Sequence, residues 1–490
     1  MMNKILTYNA LVIAFLAFSL GAGNVSAQNK KIADEVKKMT SDSQLKHASV
    51  AVSVYNITQN KEEYSYDADR LMSPASLMKI FTTAAGFEYL GKGFRFKTSL
   101  GYTGSITRDG VLNGDLVIIG GGDPLLGSYR YRQTVMDTLF RLWYNALRKE
   151  GIVSVNGRVL ADATIFDGPQ LHDTWVWGDV GNYYGCGATG LNFHENMYFV
   201  YFNPDRREGF PASIDHVQPK GIDVRAQNHV TTGPANSGDQ VVIYGTPTAS
   251  MRYYEGTVPL GKNNFKVRGA LPNPGKSCAE LFSVYLRNKN INVSSHASDE
   301  VTSSTKANVI FDYYSVSYNI ISQYTNMTSN NIYAESIFKY LGYHVYGKGN
   351  FKNGANAVNK YLKEKDMDMT AVNIVDGSGL SRSGMATARF FTDFLAKVYK
   401  TDYYTDFRKT LPKVGESGTA RNLLSGQMPA NSEIYVKTGT MTGVCSYAGY
   451  ATRANGEKIC FSILVNNQTV SASSVRPKVA KLLLTILNGN

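Results

Sequence analysis

The chain has 490 residues, 43% hydrophobic, 12% aromatic and 18% charged, with a formal net charge of +12. These fractions exclude an intrinsically disordered or collagen-like chain, and the length suits two or three globular domains. No block of five or six like charges gathers the basic excess into a nucleic-acid arm, so it implies at most weak attraction to an anionic polymer.

Residues 1–27 read as a secretory signal, with Lys4 before the apolar run Ile5 to Gly23 and small residues Val25-Ser26-Ala27 ahead of a cleavage point at Gln28. The alternative is an N-terminal membrane anchor. Against it, Thr7, Tyr8 and Asn9 interrupt the run, and no cysteine follows it for a lipid anchor. No other stretch reaches the roughly 18 apolar residues of a spanning helix. The mature chain is expected outside the cytoplasm, in the periplasm or on the exterior of the cell envelope, without an integral anchor.

Lys30 to Met39 suits a short polar helix. Ala48 to Ile57 alternates Val50, Val52 and Val54 on one face, a strand pattern, and a second strand is expected near Tyr64 to Asp67. From Pro74 to Leu90, apolar residues recur at helical spacing (Leu77, Ile80, Phe81, Ala84, Phe87), with Ser73 placed to cap and Pro74 at the first helical position. Between about Phe94 and Glu300 the texture becomes short β-like runs broken by Gly, Asn and Pro. Three further β-rich runs follow at Ile434–Met441, Ser446–Thr452 and Lys458–Val465, and Val475 to Leu487 is an amphipathic helix. The expected class is therefore α+β. The two ends, 28–93 and 300–490, build one discontinuous domain, and a β-rich insertion of two subdomains, 94–299, interrupts it.

Cys186, Cys278, Cys445 and Cys460 are too few and too scattered for a disulfide framework, and none forms a C-x-x-C pair. Cys445 and Cys460 flank a turn-like Arg453 to Gly456, which leaves a cross-strand disulfide open. The seven histidines are scattered, and neither a metal nor a cofactor is expected.

Without metal ligands or G-x-S-x-G, an exported enzyme can use a serine activated by lysine, because a desolvated amine loses its proton readily. The i, i+3 spacing of S-x-x-K on a helix puts both side chains on one face. Four tetrads fit: Ser43 with Lys46, Ser76 with Lys79, Ser303 with Lys306 and Ser336 with Lys339. Only Ser76 begins a helix that follows the N-terminal strands, where helix amides favour developing negative charge. Ser329-Asn330-Asn331 offers a proton relay and an amide-holding side chain, with Ser317-Tyr318-Asn319 as its decoy. Lys437-Thr438-Gly439-Thr440 is the only K-T-G, supplying a positive charge, a carboxylate-binding hydroxyl and a glycine that permits close backbone approach. Gly120-Gly121-Gly122 reads as a turn, since it lacks the Lys-Ser/Thr of a phosphate loop.

Together these motifs resemble those of the penicillin-recognising acyl-serine transferases. The long separation from Ser76 to Ser329 resembles the low-molecular-mass class C penicillin-binding proteins, the D-alanyl-D-alanine carboxypeptidase/endopeptidase group (peptidase family S13), which carries a large insertion there. Gly120 to Pro124, Leu191-Asn192, Asn331 to Glu335, Asp376 to Arg382 and Gly418 to Arg421 look like the same family. The central motif departs from it by reading S-N-N rather than S-D-N. The resemblance implies a transpeptidase-like, β-lactamase-type domain with a central antiparallel sheet flanked by helices. It implies peptidoglycan stem peptides and β-lactams as partners, and no nucleic acid.

By residue, the resemblance implies Ser76 as nucleophile, Lys79 as base, and Ser329 with Lys437 as the relay to the leaving amine. Asn331 would hold the acyl-chain amide and Thr438 the terminal carboxylate. The amides of Ser76 and Thr440 would form the oxyanion hole, with Gly439 between. Arg421 either meets a substrate carboxylate or orders its loop. Asp162 and Phe166 either reach the third-residue side chain of the stem peptide, or cap a turn and fill the core. Two other readings stay open. One is a secreted serine β-lactamase, although no E-x-x-L-N is present; the other is a non-catalytic peptidoglycan-binding or sensor protein.

Overall fold

In the computed structural model, which describes residues 27–301 and 306–488, the alternating stretch around Val50 forms the strand Ser49–Asn56. It pairs antiparallel with Lys61–Tyr66 on one side and with Lys458–Asn466 on the other. The sheet continues through Val444–Thr452 to Glu433–Met441, so both ends of the chain supply one five-stranded antiparallel sheet. Most of the expected signal segment, residues 1–26, lies outside the described residues.

Helices cover both faces of this sheet. Val50, Val52 and Val54 pack into a core shared with Ala27–Ser41 and Ala472–Leu487, while Ala51 faces a second core with Met78–Tyr89 and Ala388–Val398. In that second core Phe81 stacks on Phe391 at 4.9 Å and meets Phe390 and Phe394 edge-on at 5.4 and 5.0 Å. Each such pair adds about 0.5–1.5 kcal/mol beyond burial, which fixes the helix that carries Lys79.

The middle of the chain has its own core and several small sheets. It also contains two helices that its β-like texture did not suggest, Met136–Lys149 and Pro274–Asn288, which meet through Phe140, Trp143 and Phe282. The strand Asn308–Tyr314 pairs with Lys97–Tyr102, which carries this sheet past residue 299, where the sequence suggested the segment would end.

The four cysteines are free and buried. Cys445 lies opposite Val465 and Cys460 opposite Tyr450, so the disulfide left open by the sequence is not formed. Their separation along the ladder far exceeds the roughly 7 Å that a disulfide bridges. Among the described residues no helix is long and apolar enough to cross a membrane.

Candidate active site

The segment entering the helix that carries Lys79 is held by the sheet rather than by a serine cap. Asn466 accepts the Ser73 amide at 2.9 Å and donates to the Ser73 carbonyl at 3.0 Å, whereas the Ser73 hydroxyl has no partner. The chain then makes a 3-10 turn, Ala75–Leu77, before the α-helix Met78–Tyr89 begins. Ala75 has φ +48°, a left-handed conformation that costs a non-glycine residue about 1–2 kcal/mol. Ser76 thereby stands on a tight turn, and Lys79 follows in the first helical turn.

Lys79 is fully buried and its ammonium is surrounded by acceptors. Nζ donates to Ser76 Oγ at 2.9 Å, to Asn331 Oδ1 at 2.6 Å and to the Ser378 carbonyl at 2.7 Å. Burial pushes its pKa down to about 7, opposed by the carboxylates of Glu335 and Asp376. Lys437, also fully buried, donates to Ser329 Oγ at 2.8 Å and to the Thr438 carbonyl at 2.7 Å. Burial, and then the charge of Lys79, hold it well below the usual lysine range. Ser329 is a second left-handed residue, φ +55°, just before the helix Asn331–Tyr346.

A buried carboxylate pair supports this arrangement. Glu335, one helical turn after Asn331, accepts the amides of Gly377 and Ser378 at 3.1 and 2.8 Å, which aims the Ser378 carbonyl at Lys79. Burial and the neighbouring Asp376 push the Glu335 pKa up to about 7. Asp376 accepts the amides of Gly379 and Ser381 and the indole of Trp175. Gly379 has φ +75°, and a Cβ there would collide with the Ala75 carbonyl. A Cβ at Gly439 would lie 2.5 Å from the Pro74 carbonyl and 3.2 Å from the Ser76 amide, so this strand also presses against the turn that carries Ser76.

Ser76, Ser329, Asn331, Thr438 and Thr440 line one cavity of about 620 Å³. The three motifs singled out in the sequence therefore converge. The decoys do not: Ser336 accepts from Asn192, Lys339 donates to three carbonyls elsewhere, and Ser317 precedes the helix Tyr318–Met327 as its N-cap residue. Ser303 lies outside the described residues.

Asp162, Phe166 and Arg421, which the sequence offered as substrate contacts, do not line the cavity. One Asp162 oxygen accepts both the amide and the hydroxyl of Thr164, as a turn cap does. Phe166 is buried and pairs with Gly349. Arg421 is exposed after the turn Gly418–Ala420, whose Thr419 faces the cavity and accepts from Thr438 Oγ1 at 2.7 Å. In their place the structure brings Asp179, Tyr183, Tyr184, Arg382 and Arg476 to the cavity wall. The Tyr184 carbonyl accepts from Asn331 Nδ2 at 2.8 Å, joining the insertion to the catalytic helix. Arg382 stands in the Asp376 to Arg382 stretch that the sequence had marked. Nothing local in the sequence distinguishes Asp179 from Asp162.

A serine bonded to a buried lysine, a second serine–lysine pair and a K-T-G strand, set on this sheet, are the pattern of a penicillin-recognising serine acyl-transfer enzyme. The model of the D-Ala-D-Ala carboxypeptidase 3 (S13) family matches residues 32–485, and the chain belongs to that family. A D-alanyl-D-alanine carboxypeptidase from Actinomadura sp. is 28% identical over 469 residues, covering 90% of this chain and 82% of that one. Penicillin binding protein 4 (dacB) from Haemophilus influenzae has the same fold, with a TM-score of 0.79 at 23% identity over 93% of this chain and 97% of that one. That protein has also been solved complexed with a β-lactam, where the TM-score is 0.73 at 22% identity over 93% and 98% of the two chains. A predatory endopeptidase from Bdellovibrio bacteriovorus matches with a TM-score of 0.51 at 16% identity, over 90% and 94%.

Proposed function

We propose that Ser76 Oγ attacks the carbonyl of the penultimate D-alanine of a peptidoglycan stem peptide, within the D-Ala-D-Ala carboxypeptidase activity of the family. The observation that carries this reading is the 2.9 Å contact between Ser76 Oγ and the buried amine of Lys79, whose pKa burial lowers to about 7. Lys79 Nζ takes the serine proton as the Ser–acyl bond forms. The amides of Ser76 and Thr440 receive the developing oxyanion. Ser329 and Lys437, 2.8 Å apart, pass a proton to the leaving amine as the peptide C–N bond breaks. Asn331 holds the acyl side and Thr438 the terminal carboxylate. Water then cleaves the ester, its hydroxyl joining the acyl carbon and its proton Ser76 Oγ, which releases the shortened peptide, while the proton held by Lys79 replaces the one that Ser329 and Lys437 gave to the leaving amine. When the departing amine is terminal D-alanine the enzyme is a carboxypeptidase; when it is a cross-linked side chain the enzyme is an endopeptidase. The same acylation takes up β-lactams. The chain acts after export to the periplasm or cell-envelope exterior.

Asp179 and Arg382 face the cavity from the insertion and from the Asp376 turn, and suit a third residue ending in an ammonium and a carboxylate, as diaminopimelate does. Burial raises the Asp179 pKa, while Arg382 opposes the shift. Asp179→Asn is expected to lower kcat/KM for a diaminopimelate peptide several-fold more than for a bare acyl-D-Ala-D-Ala; equal falls would remove the specificity role. The general reading is tested by incubation with labelled penicillin and then with a D-Ala-D-Ala peptide. Slow trapping together with peptide turnover supports a carboxypeptidase, rapid drug hydrolysis a β-lactamase, and neither a binding protein.

A further inference from the structure

One small sheet of the insertion has an open face. Its strands are Arg225–Gly233, Met251–Pro259 and Val242–Tyr244. Alternation along them sends Ile243, Tyr254 and Val230 into the core and turns Tyr244, Tyr253 and His229 to the other side. The outward rings form a row: His229 stacks on Tyr253 at 4.7 Å, Tyr253 meets Tyr244 at 6.1 Å, and Tyr244 stacks on Trp177 at 6.2 Å. Trp177 is 56% exposed, whereas the other two tryptophans, Trp143 and Trp175, are buried. His229 is also exposed and Tyr244 and Tyr253 are half-buried, and a row of rings that solvent reaches along one sheet face marks a contact surface.

The place of the row indicates its occupant. Trp177 lies in the short helix Trp177–Val180, whose Asp179 lines the catalytic cavity beside Tyr184, the residue bonded to Asn331. The row therefore starts at the rim on the Asn331 side, where the acyl arm of the substrate leaves the cavity. A stem peptide is joined at its amino end to the sugar strand, so that arm leads to sugar. The flat C–H faces of pyranose rings stack on aromatic faces, and the exposed Gln227 and Glu255 flanking the row can bond N-acetyl and hydroxyl groups.

We propose that Trp177, Tyr244, Tyr253 and His229 bind the glycan strand of peptidoglycan, a chain of N-acetylated hexosamines, outward from the cavity rim. The direction of the strand rests on the reading that Asn331 holds the acyl side. The test titrates the whole protein with peptide-free glycan strands and follows tryptophan emission, which reports Trp177 because the other two indoles are buried. Saturable change is expected in the parent protein. It should disappear in Trp177→Ala, while Tyr253→Ala should weaken binding about fivefold, the loss of one stacked ring. Trp177→Phe should retain binding, measured by co-sedimentation with the strands. All three variants should release D-alanine from a short soluble peptide at the parent rate, but Trp177→Ala and Tyr253→Ala should release it more slowly from intact sacculi. Absence of an emission change in the parent protein, or unchanged co-sedimentation of Trp177→Ala, would overturn the proposal. So would a Trp177→Ala variant whose only change is loss of self-association, which would assign the row to a second copy of the chain. Glycan binding is measured without turnover, so failure of penicillin to acylate the protein counts against the Ser76 reading alone.

Discussion

Lys79 and Lys437 are both buried, yet their surroundings assign them different work. Two carboxylates, Glu335 and Asp376, act on Lys79, whereas the charge acting on Lys437 is that of Lys79 itself. Only the free amine of Lys79 can accept the Ser76 proton, so acylation by penicillin should rise as pH climbs through about 7. Arginine does not release its proton in a protein, and Lys79→Arg should lose about a hundredfold or more in acylation rate with the fold intact. Near-parental acylation by that variant would assign the base elsewhere. Glu335→Gln removes a charge that favours the ammonium, which lowers the Lys79 pKa. The rising limb of the acylation profile should therefore move about one pH unit to lower pH, with Asp376 and Lys437 left in place. A profile that stays put while thermal stability falls would mean that Glu335 only holds the Gly377–Ser378 turn.

Three elements meet at Ser76: the turn at Ala75, the turn at Gly379 and the strand at Gly439. Their contacts are backbone to backbone, so a single methyl group is a sharp probe. Gly379→Ala puts a side chain at φ +75° and against the Ala75 carbonyl, and overpacking of that kind costs about 1–3 kcal/mol. Acylation should fall at least about tenfold, since displacement of Ser76 by a fraction of an ångström spoils its line to the carbonyl; unchanged acylation would show the contact to be slack. The meeting of the three motifs was legible because motif residues declare their type and spacing, and the place of Ser76 after the N-terminal strands set its tetrad apart from its decoys. The helix Met136–Lys149 was missed although Leu139, Phe140, Trp143 and Leu147 follow helical spacing, because the surrounding Gly- and Asn-rich texture reads as β-like. The cavity wall was not legible. Asp179 reaches it only because Asn182 bonds the Ile243 backbone and bridges Gly269, long-range pairings with no local signature. The left-handed Ala75 and Ser329 are likewise imposed by tertiary contacts against local preference.

At the scale of the whole molecule, the middle of the chain is bolted to the helix Asn331–Tyr346. Lys339 donates to the carbonyls of Pro169, Gln170 and Ala188, Asn192 donates to Ser336, and the Tyr333 hydroxyl donates to Glu195, itself paired with Arg130. Trp175 reaches across to Asp376, so the wall of the cavity and the base are held by one network. Lys339→Met should leave the carbonyls of Pro169, Gln170 and the buried Ala188 without their donor and cost about 1–3 kcal/mol, measured by denaturant unfolding; unchanged stability would show the joint to be dispensable. The central claim is that Ser76 forms an acyl-enzyme on the path to D-alanine release. The most direct measurement is acid quenching during turnover of an acyl-D-Ala-D-Ala peptide, and separately after penicillin, followed by mass mapping of the digested protein. The account predicts an acyl mass shift in both samples on the peptide containing Ser76, absent in Ser76→Ala together with D-alanine release. An adduct on any other residue, or D-alanine release that persists in Ser76→Ala, would contradict it.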